Sequence, residues 1–346
     1  MLAILLMLST SLTGESLPNR AAVLENLTAQ LRSRAFEQCS TARNELVQLA
    51  HIDPHLLEPF ECVTVALEHP SPDIVASGLT LVGLMQAKGI PTKGFSGSLE
   101  QLLSHRIQSQ VRYRVYRCLA NGPQWSDRLL ELLQTDMASK VQFERIYAAA
   151  VYWRCGRRSD ETVQILLEKL TEQSVDQNHQ VLRVWAAHAC EMAHVDDPRV
   201  IEKLREMAKS VRGAEAVRGL YALAVLSPDD PVIASQLVKL LADHGEEIPV
   251  FPREISDMTL VQVCEIAVDV LPRIGKSCKN YESQLSQLIV GQDDSAAITA
   301  IRTVNLLDFP LPQKLKLVRG ALFHSDKYVR DEARKTFVEM RSNNSN

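Results

Sequence analysis

A chain of 346 residues with 46% hydrophobic and 23% charged residues is too apolar for a disordered protein, and at a single core's usual limit of roughly 250 to 300 residues it is long for one ordinary domain. Its formal net charge of -4 excludes a whole-protein attraction to nucleic acid or to an anionic membrane. Aromatic residues are only 5%, and Gly and Pro are few, so composition favours helix over strand.

The chain opens on an apolar run, Leu2 to Leu8, followed by the small, polar segment Ser9 to Gly14. That order matches the later part of a secretory signal peptide, although no Lys or Arg precedes the apolar core. Residues 1–16 are read as a signal peptide or hydrophobic leader, which implies export to a periplasm or beyond. The alternative is a hydrophobic first cap of a cytoplasmic protein. Nowhere else does an apolar stretch approach the ~20 residues needed to span a bilayer.

From Pro18, the pattern Ala22, Leu24, Leu27, Leu31 predicts a helix after Asn19, and a second follows through Leu46 to Ala50. Asp53-Pro54 and Glu58-Pro59 interrupt the pattern. A helix over Phe60 to Glu68, the punctuation His69 to Pro72, and a helix from Asp73 through Leu84 make a helical hairpin. Lys88 to Gly97 carries three glycines and a proline and reads as an exposed loop. Helices then pair regularly: Leu99–His105 with Val111–Leu119, Asp127–Leu133 with Val141–Trp153, Thr162–Leu170 with Val181–Ala193, and Val200–Ala208 with Ala216–Leu226. Two connections repeat, Asp196-Asp-Pro-Arg-Val-Ile201 and Asp229-Asp-Pro-Val-Ile233, each with an aspartate to cap the new helix and proline at its first position. After Ile233 to Leu241 the rhythm stretches, and Asp243 to Asp257 reads as a longer loop. Helices resume over Leu260–Leu271, Tyr281–Val290, Ser295–Leu307, Lys314–Phe323 and Tyr328–Met340, and residues 343–346 form a polar tail.

Three apolar runs that each open with an arginine, starting at Phe143, Val181 and Val217, recur about every 35 residues, and fixed-period self-similarity signals a solenoid. The reading is an all-α superhelix of about eight helical hairpins over residues 17–342. Arg145-Ile-Tyr-Ala148, Arg183-Val-Trp-Ala186 and Arg330-Asp-Glu-Ala333 share R-x-x-A, with Arg218 to Ala222 and Arg114 to Arg117 as looser copies. These second helices resemble those of HEAT repeats, including the short variety in bilin lyase subunits, over roughly residues 60 to 340. The resemblance implies a stack of hairpins; it does not fix a function, because such arrays serve as scaffolds, adaptors, chaperone-like subunits and occasionally enzymes.

Arg114, Arg145, Arg183, Arg218 and Arg330 are expected in similar places near the starts of successive second helices. They either line a groove for an acidic partner or, as the resemblance implies, form a structural ladder that pairs with neighbouring hairpins. Arg112-Tyr-Arg-Val-Tyr-Arg117 is the strongest local patch, followed by Tyr152-Trp-Arg-Cys-Gly-Arg-Arg158. Val111, Val115, Cys118 and Leu119 make an apolar stripe, which is expected to leave Arg112, Arg114 and Arg117 toward solvent or the groove. With Trp153 and Arg154 these are the predicted contacts for a protein or peptide partner; arginine with aromatics is a common hot-spot composition. The alternative is an ordinary solvated face with tyrosines packing at its edge, and nucleic acid is disfavoured by the acidic balance.

Seven cysteines form no C-x-x-C pair, and Cys118, Cys155, Cys190 and Cys264 in apolar runs read as free core thiols. His188 and His194 are six residues apart on one helix, which sets them about 120° apart, so they do not converge on a metal. No cofactor is implied. The leading reading is a non-catalytic scaffold or adaptor. The alternative is an enzyme or enzyme subunit, either lyase-like on a tetrapyrrole-bearing protein or of the DNA base-excision type, which a cleft holding a carboxylate between aromatics would mark.

Overall fold

The computed structural model describes residues 18–33, 35–105, 107–122, 125–171, 177–210, 213–228, 230, 232–233, 236, 247–249, 260–262, 282–307 and 309–342. The leader expected over 1–16, the tail over 343–346 and Cys264 lie outside them. The chain divides into two compact units, one ending at Arg158 and the other beginning at Ser159.

The first unit holds four hairpins: α1 (Pro18–Leu31) with α2 (Phe36–Ile52), α3 (Glu61–Leu67) with α4 (Pro72–Ala87), α5 (Ser96–Ser104) with α6 (Ser109–Asn121), and α7 (Asp127–Met137) with α8 (Gln142–Arg154). The first helices touch in order, α1 on α3, α3 on α5 and α5 on α7. The second helices do the same, α2 on α4, α4 on α6 and α6 on α8. Each hairpin therefore contacts its neighbours, and the unit is a two-layered solenoid. The loop expected over Lys88 to Gly97 is partly helical, with a short 3-10 turn at Lys93–Phe95 running into α5.

The second unit holds α9 (Asp160–Thr171) with α10 (Gln177–Met192) and α11 (Pro198–Ala208) with α12 (Gly213–Leu226), again with first helix on first and second on second. Further along come α13 (Glu282–Ile289) with α14 (Asp294–Leu306) and α15 (Leu311–Arg319) with α16 (Lys327–Ser342), stacked by the same rule. Among the described residues this makes eight hairpins. The helix expected from Leu260 is not there at its start: Leu260–Gln262 is a strand, paired antiparallel with Glu247–Pro249 so that Glu247 faces Gln262. A stretch as short as Leu-Val-Gln has no periodicity that separates strand from helix. The rest of that expected helix lies outside the described residues.

Local chemistry accounts for the boundaries. Asp197 accepts the Arg199 N–H at 2.9 Å with Pro198 as the first helical residue, Ser126 accepts from Leu129 at 3.2 Å, and Asp293 accepts from Ala296 at 3.0 Å. First helices bury one stripe; in α11 it is Val200, Ile201, Leu204, Met207 and Ala208. Each such side chain contributes roughly 1.5–3 kcal/mol on burial. The second helices α6 and α8 are buried over more of their circumference, whereas α2 and α16 bury one stripe. A Cβ on Gly78 of α4 would lie 3.0 Å from Leu67 N, and one on Gly219 of α12 would lie 2.7 Å from Ala208 N. Both glycines let a second helix press on the end of its own first helix.

Candidate functional site

Helix α6 carries Arg112, Arg114 and Arg117. At 100° per residue Arg114 and Arg117 lie about 60° apart, whereas Arg112 lies about 140° or more from both. The structure follows that arithmetic and corrects the expectation that all three face outward. Arg112 is only 8% exposed, Arg114 is half-buried and Arg117 is exposed. The Arg112 guanidinium is ion-paired with Asp136 of α7, which is also buried, and lies 3.4 Å from Glu144 of α8. It donates to Tyr116 Oη at 3.2 Å and to the His105 carbonyl at 3.4 Å, while Tyr116 donates to Asp136 at 2.7 Å. Burial opposes the charge on Arg112, but Tyr116 and Asp136 outweigh it and hold the guanidinium above its ordinary pKa. Burial lifts the Asp136 carboxyl above the usual carboxylate range although Tyr116 and Arg112 pull it down. Around this cluster Tyr116 stacks on Tyr147 at 6.2 Å, and Phe143 and Tyr113 meet Tyr147 at 4.8 and 5.4 Å. Here a carboxylate does sit among aromatics, but at 6% exposure Asp136 is closed to any substrate.

The same linkage recurs in the second unit. Arg183 of α10 meets Glu215 of α12 at 2.9 Å, thirty-two residues ahead, the offset that also separates Arg112 from Glu144. Each glutamate accepts a hydroxyl five residues before it, Ser139 to Glu144 at 2.7 Å and Ser210 to Glu215 at 2.9 Å. Each arginine also donates to a carbonyl at the end of its own hairpin's first helix: Arg183 to Leu170 at 3.1 Å, Arg112 to His105. Thus Arg112, not Arg114 or Arg145, is the counterpart of Arg183. Glu144, Glu215, Asp136 and the two serines were missed in the sequence, where Ser-x4-Glu occurs five times and does not single out these two.

The remaining ladder positions make different bonds. Arg218 pairs back to Glu191 of α10 and covers the Tyr221 ring at 5.4 Å. Arg330 donates to the carbonyls of His324 and Ser325, both at 2.6 Å. Arg145 is half-buried on α8. Of the predicted contacts, Trp153 is buried, with the Arg158 guanidinium over its ring at 5.2 Å, and Arg154 is exposed and donates to the Ala120 carbonyl at 3.3 Å.

Among the described residues Arg114, Arg117, Arg154 and Arg157 have no carboxylate partner, as is also true of Arg43, Arg319 and Arg330. Arg114 is held only by Thr80 Oγ1 at 2.8 Å, Arg154 only by that carbonyl, and Arg117 and Arg157 have no side-chain bond there. These first four are grouped in the first unit, on or just after α6 and α8, whereas Arg43, Arg319 and Arg330 are scattered over α2, α15 and α16. Beside Arg157 a depression of about 300 Å³ is lined by Trp125, Asp127, Leu130 and Cys155. Burial pushes the Cys155 thiol up to about 11, against the opposing pull of Arg154 and Arg157, so it stays protonated near neutrality and is a poor nucleophile.

No protein-family model matches the chain, and no curated protein matches it as a relative. Among known structures it is similar to the crystal structure of Kap121p, at 15% identity and a TM-score of 0.39, over 95% of this chain and 38% of that one. It is also similar to a homology model of the full-length AP-3 complex in an intermediate open conformation, at 12% identity and 0.40, over 98% and 76%. A third is the CpcE–CpcF complex of phycocyanin lyase from Nostoc sp. PCC7120, at 17% identity and 0.29, over 64% and 96%. The chain thus spans under two fifths of the Kap121p chain. None of these likenesses assigns it a role.

Proposed function

We propose that this chain is a non-catalytic scaffold that binds an acidic segment of a partner protein along the second-helix layer of its first unit, with Arg114, Arg117 and Arg154 as contacts. The observation that supports this reading is the grouping of four guanidiniums without a carboxylate on or just after two adjacent second helices. Arg112 meets its carboxylates in stacking, whereas Arg114 and Arg154 reach the neighbouring hairpin only through a hydroxyl and a carbonyl, and Arg117 and Arg157 make no side-chain bond among the described residues. Guanidiniums presented by rigid helices in fixed register suit carboxylates spaced along an extended chain, because the fork geometry matches a carboxylate and little entropy is lost on the protein side. Trp153 supports the surface from beneath rather than touching the partner, since it is covered by Arg158.

The test is fluorescence anisotropy of a labelled twelve-residue glutamate-rich peptide with the full chain and with Arg114→Glu/Arg117→Glu. Affinity is expected to fall at least about tenfold in the double variant and to weaken with added salt, as exposed charge pairs do. Unchanged affinity in the variant, or a preference for a lysine-rich peptide, would overturn the reading.

A further inference from the structure

The depression beside Arg157 has a built wall. Trp125 donates its indole N–H to the Leu119 carbonyl at 2.7 Å, at the end of α6, which fixes the ring. The ring lies so close over Gly122 that a Cβ there would sit 1.8 Å from Trp125 Cζ2. Gly122 has φ -87°, an ordinary backbone conformation, so it is the indole and not the backbone that demands glycine at this position. Leu130 of α7 adds apolar surface, and the floor includes Cys155, kept neutral by burial. The two charged lining groups, Asp127 and Arg157, are not paired with each other and form no side-chain hydrogen bond among the described residues. A fixed aromatic face, an aliphatic neighbour and an unneutralised guanidinium around about 300 Å³ describe a receptacle of single-side-chain size, at the lower end of the range for ligand pockets.

Building on the proposed binding of an acidic segment, we propose that this pocket takes one aromatic side chain of that segment, with the neighbouring carboxylate of the segment held by Arg157. The aromatic ring packs against the Trp125 indole and Leu130, and Asp127 accepts a backbone N–H of the segment. Recognition would then have two parts: charge along Arg114, Arg117 and Arg154 sets the orientation, and the aromatic anchor sets the register. An anchor in a pocket surrounded by weaker polar contacts is the usual distribution of energy in such surfaces.

Two labelled glutamate-rich peptides that differ only in a central Phe or Ala distinguish the parts. On the wild-type chain the Phe peptide is expected to bind about tenfold more tightly, the scale of burying one aromatic side chain. Gly122→Ala, which displaces the indole without changing charge, should remove that preference while leaving the Ala peptide's affinity unchanged, and Arg157→Ala should weaken the Phe peptide more than the Ala peptide. Equal binding of the two peptides to the wild-type chain would sink the pocket and leave the acidic-segment reading standing. A Phe preference that survives both Gly122→Ala and Trp125→Ala would also overturn it. If neither peptide binds, the acidic-segment reading fails and the pocket with it.

Discussion

The junction between the last two hairpins of the first unit and the junction between the first two hairpins of the second use the same residues in the same order, yet they are furnished differently. In the first, Arg112 is shared by Asp136, Glu144, Tyr116 Oη and a carbonyl, inside a cluster of four aromatic rings. In the second, Arg183 has Glu215 and a carbonyl, and its helix packs with Ala186, Ala187 and Ala189 instead. The surfaces differ as well. Arg199 meets Asp160 and Asp197, and Arg205 meets Asp230 and Glu202, whereas Arg114, Arg117, Arg154 and Arg157 have no carboxylate among the described residues. The arginine–glutamate–serine link belongs to stacking and is kept in both units. The grouping of such arginines on or just after adjacent second helices is what distinguishes the face assigned to a partner.

The comparison breaks most sharply where a buried carboxylate loses its arginine. Arg183→Ala removes the guanidinium that meets Glu215, which is 1% exposed, and should cost about 3–5 kcal/mol by urea denaturation. Asp136→Ala should cost less, about 2–3 kcal/mol, because Glu144 still faces Arg112. A loss below about 0.5 kcal/mol at Arg183, the level of ordinary surface changes, would mean the link does not hold the hairpins. Next in size is the close approach of helices. Gly219→Ala is expected to destabilise by roughly 1–3 kcal/mol, and Gly78→Ala by less, because its added Cβ meets backbone at 3.0 Å instead of 2.7 Å. A reversed order of melting temperatures would contradict this account of the contact.

Thiol chemistry tests burial in the first unit. Cys155 at about 11 should be about one part in a thousand thiolate at pH 8, and Cys118, raised to about 12, even less. Alkylation by iodoacetamide at pH 8 should therefore be slow in the native chain and rapid in urea; rapid native labelling of Cys118 would show that α6 is not packed as described. The smallest effect is in acid and has opposite signs. Asp136 is lifted by burial, so the stability it contributes is full below the unfolded carboxyl pKa of about 4 and falls as pH rises through its native value. Asp197 is held low by the hydrogen bond from Arg199, so its contribution is full above about 4 and is lost as pH falls through its native value. Hydrogen exchange of α7 and α11, corrected for intrinsic rate, should trend in opposite directions with pH; parallel trends would refute the assignment.

Helix positions were legible because apolar spacing and caps agree: Asp197-Pro198 opens α11 where the sequence placed it. The strand at Leu260–Gln262 was not, since its pairing with Glu247–Pro249 is settled by contacts eleven or more residues away and not by local pattern. Within α6 the apolar stripe was read correctly, but the three arginines were grouped by nearness in sequence, and a helix separates Arg112 from Arg117 by more than a third of a turn. Aligning Arg145 with Arg183 through R-x-x-A also hid the true register, because the glutamate that completes each link is borrowed from the following hairpin. The grouping of four arginines without a carboxylate on or just after α6 and α8 is invisible to any count of charge; it appears only once the described arginines are followed to their partners.

The link also gives each stack a directional toughness. It fastens second helix to second helix through ions and hydrogen bonds around arginines that are largely buried, whereas the ion pair between the first helices α9 and α11, Arg199 to Asp160, is exposed. Exposed pairs contribute little, so under tension the first-helix layer should yield before the second-helix layer. A bound segment lying on the second-helix layer would keep its footholds at constant separation while the rest of the unit flexes.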